Sequence, residues 1–355
     1  LKIVNGYEKA KALLSREVSA GDYSVTPTVQ KRLNKMFGTS DPGQAVRQII
    51  AEVQKRGDAA LLDYSQKIDG MRLESLEVSQ QQIKEARYKI DSRLMSALKL
   101  AADNIYSFHV AQREAIMTGV GCMGEGTVAR PLEKVGIYAP GGTASYPSTV
   151  LMTAIPAKVA GVKNVVLVTP PGSGGEVPVP VLVAADFARV DRVFRIGGAQ
   201  AIAALAFGTE TVPRVDKICG PGNIFVMLAK KLVYGTVDID GLQGPSEVVI
   251  IADDMANPEC LAAEILAQAE HDALASAIMI TSSQKLADGV NREIEKQLAE
   301  LERKDIAAES LDKSGLIAVV ETIDQAIDLS NMYAPEHLCL DIEGAKDYID
   351  KITNA

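Results

Sequence analysis

The chain is short of basic charge: 37 lysines and arginines face 46 aspartates and glutamates, a formal net charge of -9. Sequence-independent binding to nucleic acid needs a basic surface that displaces counterions, and this balance argues against it. No apolar stretch approaches the length that spans a bilayer, and no charged-then-apolar leader opens the sequence. Neither membrane insertion nor secretion is expected, although Leu1 in place of methionine leaves room for a processed segment before it. Cysteine is scarce. Cys122, Cys219, Cys260 and Cys339 are scattered without a CxxC pair, so a disulfide framework or a thiolate zinc site is not expected and a reducing cytoplasm fits best. Each lies in or beside an apolar run and reads as a small buried hydrophobe. Histidine is scarcer still, with only His109, His271 and His337 available for imidazole chemistry. His109, between Phe108 and Val110, reads as a packed helix residue.

What the sequence does contain is a core: 47% of its 355 residues are hydrophobic and 23% charged. That length calls for two or more domains. The first third reads as helical. Asp41 and Pro42 form an N-cap and first-turn pair, and Ile49, Ile50 and Val53 begin an apolar stripe. From Ser79 to Met117 apolar positions recur at helical spacing without proline, which predicts one long helix or two abutting ones. Residues 1–27 read as a weakly amphipathic helical leader.

After Arg130, short β-rich runs alternate with helical ones. Strands are predicted at 135–139, 165–169, 192–196 and 216–219, with helices at 148–160, 198–207 and 223–233. A second series follows, with strands at 247–252, 277–281, 316–320 and 338–341. This order predicts an α/β fold with two Rossmann-like parallel-sheet domains, one inserted into the other. The expected limits are 28–134 with 247–355 for the outer domain and 135–246 for the insert. The charge-dense stretch 292–309 reads as a solvated helix face.

Glycine loops stand at several strand ends, where such folds place ligands. None is a full G-x-G-x-x-G; Gly220-Pro221-Gly222-Asn223-Ile224-Phe225 comes nearest, and tight-turn glycine is its bland alternative. Gln268 and His271, three residues apart at a helix end, present an amide oxygen and an imidazole on one face. That pair suits a shared metal or simply a polar helix end. Glu336 and His337 adjoin in a loop before a strand and suit either an acid/base pair or a solvated loop. Ser246, in Gly244-Pro245-Ser246-Glu247, is placed to hydrogen-bond a substrate amine or hydroxyl but lacks a hydrolase context.

In order along the chain, Gly136-Ile137-Tyr138-Ala139-Pro140-Gly141-Gly142, Tyr146-Pro147-Ser148-Thr149-Val150-Leu151-Met152, Gly197-Gly198-Ala199-Gln200-Ala201-Ile202-Ala203 and Gly220-Pro221-Gly222-Asn223 resemble the histidinol dehydrogenase family. So do Gly244-Pro245-Ser246-Glu247, Gln268-Ala269-Glu270-His271-Asp272 and Ala334-Pro335-Glu336-His337-Leu338. The resemblance covers nearly the whole chain. It implies NAD-dependent oxidation of L-histidinol, through L-histidinaldehyde, to L-histidine by a zinc-containing homodimer. By that resemblance Tyr138, Gln200 and Asn223 match cofactor contacts, and Gln268 and His271 match zinc ligands that also meet substrate. Ser246 and His337 match substrate contacts, and Glu336 with His337 matches the acid/base pair. The family continues past the position of Ala355 with a small C-terminal domain, which supplies an aspartate zinc ligand and a glutamate and histidine for the partner subunit's site. Two other readings fit the same residues: a related zinc/NAD alcohol dehydrogenase acting on another small alcohol, such as a sulfonated diol, and a non-catalytic scaffold.

Overall fold

The computed structural model describes residues 1–15, 25–122, 126–141, 145–172, 174–242 and 246–355. Gly142, Gly244 and Pro245 of the motifs above lie outside the described residues, as does the stretch 16–24. The chain forms two compact units, Leu1–Asp22 with Pro245–Ala355 and, between them in sequence, Tyr23–Gly244. The strands are β1 (Lys2–Asn5), β2 (Glu77–Val78), β3 (Lys134–Tyr138), β4 (Asn164–Val168), β5 (Arg192–Phe194), β6 (Lys217–Cys219), β7 (Asp238–Ile239), β8 (Glu247–Ala252), β9 (Ser276–Thr281), β10 (Leu316–Val319) and β11 (His337–Asp341).

The continuous unit is built on a six-stranded sheet in the order β2-β5-β4-β3-β6-β7. It is parallel except for β2, which runs antiparallel to β5 and is fastened there by a paired Arg192–Glu77 contact at 2.7 and 2.6 Å. Its inner strands are continuous aliphatic runs such as Val165-Val166-Leu167-Val168, because helices cover both faces. Val46, Ile49 and Val53 of the helix Pro42–Arg56 pack one face, with the helices Gly198–Phe207 and Ile224–Val233. Leu98 and Ala102 of the helix Ser92–Cys122 pack the other, with Pro147–Ala160 and Val179–Phe187. The chain fills β3, β4 and β5 in one direction, then returns to the other side of β3 with β6. A topological switch point therefore opens between β3 and β6 at their carboxyl ends.

The discontinuous unit has an all-parallel sheet ordered β1-β10-β9-β8-β11. Its core residues include Val248, Ile250 and Ile265 on one face and Val249, Ile251 and Ile327 on the other.

The alternation of elements and the insertion follow the sequence expectation, and the domain limits differ from it. Residues 28–134 belong with the six-stranded sheet of the continuous unit, not with the outer one. An amphipathic stripe announces that a helix is half buried, but not against which sheet. The opening segment is not a helical leader alone: Lys2–Asn5 is an edge strand in register with Leu316–Val319, followed by the helix Tyr7–Leu14. The predicted long helix is a short one, Gln80–Glu85, closed at its start by a Ser79–Gln82 capping box, then the 31-residue helix Ser92–Cys122.

Candidate functional site

Three candidate residues stand at the carboxyl edge of the continuous unit. Tyr138 ends β3 and is 2% exposed, and its hydroxyl oxygen accepts the Gly198 N–H at 3.2 Å. Burial pushes its pKa up to about 12, against a small lowering from that N–H; the nearby Asp69 charge adds to the rise. The phenol is therefore a neutral hydrogen-bonding group, not a base, at physiological pH. Gln200 lies in the first turn of the following helix, 1% exposed, with neither polar atom of its amide hydrogen-bonded. A buried amide left so is costly unless a water, an ion or a ligand meets it. Gly198, at φ 64, lets the backbone turn against this amide: an added Cβ would stand 2.8 Å from Gln200 Oε1.

Asn223 occupies the loop after β6. Its Oδ1 accepts the N–H groups of Phe225 and Val226 at 3.1 and 3.2 Å and so caps the helix Ile224–Val233. The loop glycines are also explained. Gly220 has φ 113, and a Cβ there would lie 2.1 Å from the Tyr138 carbonyl oxygen; at Gly222 it would meet Val226 at 2.4 Å. Adjacent strand ends can approach this closely only without side chains.

The remaining candidates belong to the discontinuous unit and gather at the amino edge of its sheet, opposite to where open α/β sheets usually bind ligands. Ser246 precedes β8, half-buried, and its carbonyl accepts the Ser276 N–H at 3.0 Å. Glu336 and His337 enter β11 after the helix Ile323–Tyr333, which ends at Ala334 in the left-handed region at φ 54. Pairing of β11 with β8 sets His337 opposite Val248. Glu336 Oε2 accepts the Glu247 N–H at 3.3 Å, while Oε1 stands 3.8 Å from His337 Nε2. Both side chains are open to solvent, at 43% and 64% exposure. A carboxylate and an imidazole so placed can each exchange a proton with a bound molecule.

Gln268 lies in the last turn of the helix Pro258–Ala269, with His271 just beyond, its N–H donating to the Gln268 carbonyl at 3.3 Å. His271 is exposed. Gln268 is half-buried, and its Nε2 is enclosed without a partner. Zinc sites use four ligands, or three and a water. Among the described residues no three His, Cys, Asp or Glu side chains converge on a metal position. Gln268 and His271 therefore fit at most half of a zinc site.

The cysteines are not the buried set expected. Cys122 and Cys260 are exposed, on the last turn of one helix and the outward side of another. Cys219 and Cys339 are partly buried, and burial pushes the Cys219 thiol up to about 11. A thiol at that value is a poor nucleophile at neutral pH. His109 is half-buried, its Nδ1 2.8 Å from Gln112 Oε1.

Sequence reasoning missed two charged groups. Lys230 is 2% exposed beneath the Gly220 loop, beside Asp240. Asp69 ends the helical turn Ser65–Asp69, with its Oδ2 buried and unpartnered and its pKa pushed up to about 6 by burial. Only the lysine left a signal, as a charge within the apolar helix segment Ile224–Val233.

A family model described as histidinol dehydrogenase matches residues 34–355. Two histidinol dehydrogenases of Dehalococcoides mccartyi, from strains CBDB1 and ATCC BAA-2266, are 54% and 53% identical to this chain over all of it and 81% of their own length. The crystal structure of histidinol dehydrogenase from Elizabethkingia anophelis superposes with a TM-score of 0.84 at 36% identity, covering 100% of this chain and 79% of that one.

Proposed function

The chain belongs to the histidinol dehydrogenase family, and on that premise we propose that it oxidises L-histidinol through L-histidinaldehyde to L-histidine in histidine biosynthesis, reducing two NAD+ in succession. The observation that carries this reading is the Glu336–His337 pair, tied to the edge of β8 through the Glu247 N–H, in a chain 54% identical to a histidinol dehydrogenase along its full length.

The reaction asks for two oxidations. In the first, the carbinol carbon gives up a hydride and its hydroxyl a proton, leaving the aldehyde. In the second, water adds to the aldehyde carbon, and the hydrate loses a hydride and a proton to leave the acid. NAD+, when bound, takes each hydride. His337 Nε2 accepts the hydroxyl proton, a role suited to an imidazole. Glu336 takes a proton from the attacking water. Ser246, at the same sheet edge, hydrogen-bonds the substrate's polar groups. On the continuous unit, Tyr138 and Gln200 contribute a neutral phenol and a buried amide to the cofactor, and Asn223 lines the neighbouring loop.

Gln268 and His271 would be two ligands of a zinc ion, which would supply a Lewis-acid anchor for the substrate. The further ligand would come from the family's continuation beyond Ala355. A homodimer is in keeping with the large apolar side chains that the helix Ser92–Cys122 leaves exposed, Leu100, Tyr106, Phe108 and Ile116 among them. No helix among the described residues is long and apolar enough to cross a membrane, and the four free cysteines favour a reducing cytoplasm.

Steady-state kinetics test the reading. Two NADH per L-histidinol are expected, with no turnover of a sulfonated diol. Turnover of the diol and none of histidinol would favour the related alcohol dehydrogenase, and no turnover of either would favour the scaffold.

A further inference from the structure

Beneath the loop that leaves β6, a charged pair sits against the buried side of a largely apolar helix. Lys230 lies in the helix Ile224–Val233 among Val226, Met227, Leu228 and Ala229, all buried. Its ammonium donates to the Gly220 carbonyl at 3.0 Å and pairs with Asp240 Oδ1. Asp240 Oδ2 accepts the Gly220 N–H at 2.7 Å. Asp240 is itself tied to the sheet, its N–H donating to the Ile218 carbonyl at 3.1 Å. Both backbone groups of Gly220 are thus held by one ion pair, in the conformation that brings Gly220 over the Tyr138 carbonyl.

Burying the Lys230 ammonium forfeits its hydration while Asp240 stays 27% exposed, and an apolar side chain in place of a buried charge commonly serves stability as well or better. This pair gains what an apolar one could not provide: hydrogen bonds to both sides of a single glycine at the topological switch point. We propose that Lys230 and Asp240 are positioning residues for cofactor binding, which fix the segment Gly220-Pro221-Gly222-Asn223 by clamping Gly220. They touch no ligand and act through the loop. The proposal rests on the reading of the continuous unit as the NAD-binding one.

The clamp has a corollary. In glycine-rich dinucleotide loops the N–H groups at the helix start face the pyrophosphate. Here the N–H of Gly220 is taken by Asp240, and those of Phe225 and Val226 by Asn223. The clamped loop therefore meets the cofactor with these three N–H groups already engaged.

The double variant Lys230→Met with Asp240→Asn removes both charges together and leaves no lone buried ion. It is expected to stay folded, to raise KM for NAD+ about tenfold or more, and to leave KM for L-histidinol unchanged. Amide hydrogen exchange of residues 220–223 should quicken in the same variant. A folded variant with unchanged NAD+ affinity and unchanged exchange would overturn the proposal. In the unsubstituted protein without cofactor, the Gly220 amide should exchange far more slowly than an open loop amide. Fast exchange there would overturn the clamp even if the double variant fails to fold. Unsubstituted protein that binds no NAD+ by calorimetry would instead sink the cofactor reading of the unit, and slow exchange would still identify the clamp.

Discussion

Glu336 and His337 adjoin in sequence, yet the reaction uses them at different moments. The hydroxyl proton leaves in the first oxidation, and water is activated only before the second. Glu336→Gln keeps the size of the side chain and an oxygen that can accept the Glu247 N–H, while removing the base. Expected is a near-normal first oxidation with the second slowed about 100-fold or more, read as one NADH per histidinol in a single turnover and accumulation of the aldehyde. Equal losses in both steps would count against water activation. Asp69 makes a different point at this scale, because its burial has a cost that depends on pH. Its pKa rises from an ordinary 3.8 to about 6 in the fold, since the ionised carboxylate is poorly solvated and only Arg32 opposes the shift. The folded state binds this proton more tightly than the unfolded chain, so stability falls as pH rises from about 4 through 6. Asp69→Asn does not titrate and loses no hydrogen bond at Oδ2. It should melt higher than the unsubstituted protein at pH 7, the gap closing near pH 4. A gap independent of pH would show that desolvation of the charge is not its cause.

At the scale of elements, much of the fold is legible because buried parallel strands are written as aliphatic runs. Asn164–Val168, Glu247–Ala252 and Ser276–Thr281 stand within a residue of where those runs place them. The N-terminal strand is not legible. It is four residues with a charge and an amide at its ends, and it exists because the free edge of β10 pairs with it. The two-residue β2 is likewise a product of its partner, held by Arg192 and Glu77. The glycine loop after β6 could be located but its role could not. Nothing in Gly220-Pro221-Gly222 states that a Cβ on the first glycine would stand 2.1 Å from the Tyr138 carbonyl oxygen. Gly220→Ala should therefore cost about 3 kcal/mol or more, from a disfavoured φ and an unavoidable backbone clash. Gly235→Ala, at φ 95 but with nothing within 4 Å of a Cβ, isolates the conformational part. Denaturant titration of the two variants separates strain from clash, and equal losses would remove the clash from the account.

For the whole molecule, chain continuity and structural continuity part company. Tyr23–Gly244 is uninterrupted and carries apolar clusters on both faces of its own sheet. The other unit is assembled from two stretches 222 residues apart in sequence, Leu1–Asp22 and Pro245–Ala355. This arrangement explains why helical periodicity alone misplaced the chain between residues 28 and 134, since amphipathicity fixes a buried stripe and leaves the partner open. It explains equally why the site candidates were found as residues but not as a place. Tyr138, Gln200 and Asn223 are read from the loops of one unit, and Ser246, Gln268, His271, Glu336 and His337 from the other, with no spacing in the sequence to relate the sets. The consequence for folding is direct. A fragment of residues 23–244 should melt cooperatively by itself, because its core is complete. A fragment of 245–355 leaves the apolar edge of β10 without β1 and Leu316 without the cover of the first helix, and an open edge of that kind recruits other chains. It should aggregate alone and become soluble when a peptide of residues 1–22 is added, with light scattering as the measure. Full solubility of 245–355 without the peptide would mean that β1 only decorates the sheet, and that the insertion interrupts a unit already complete.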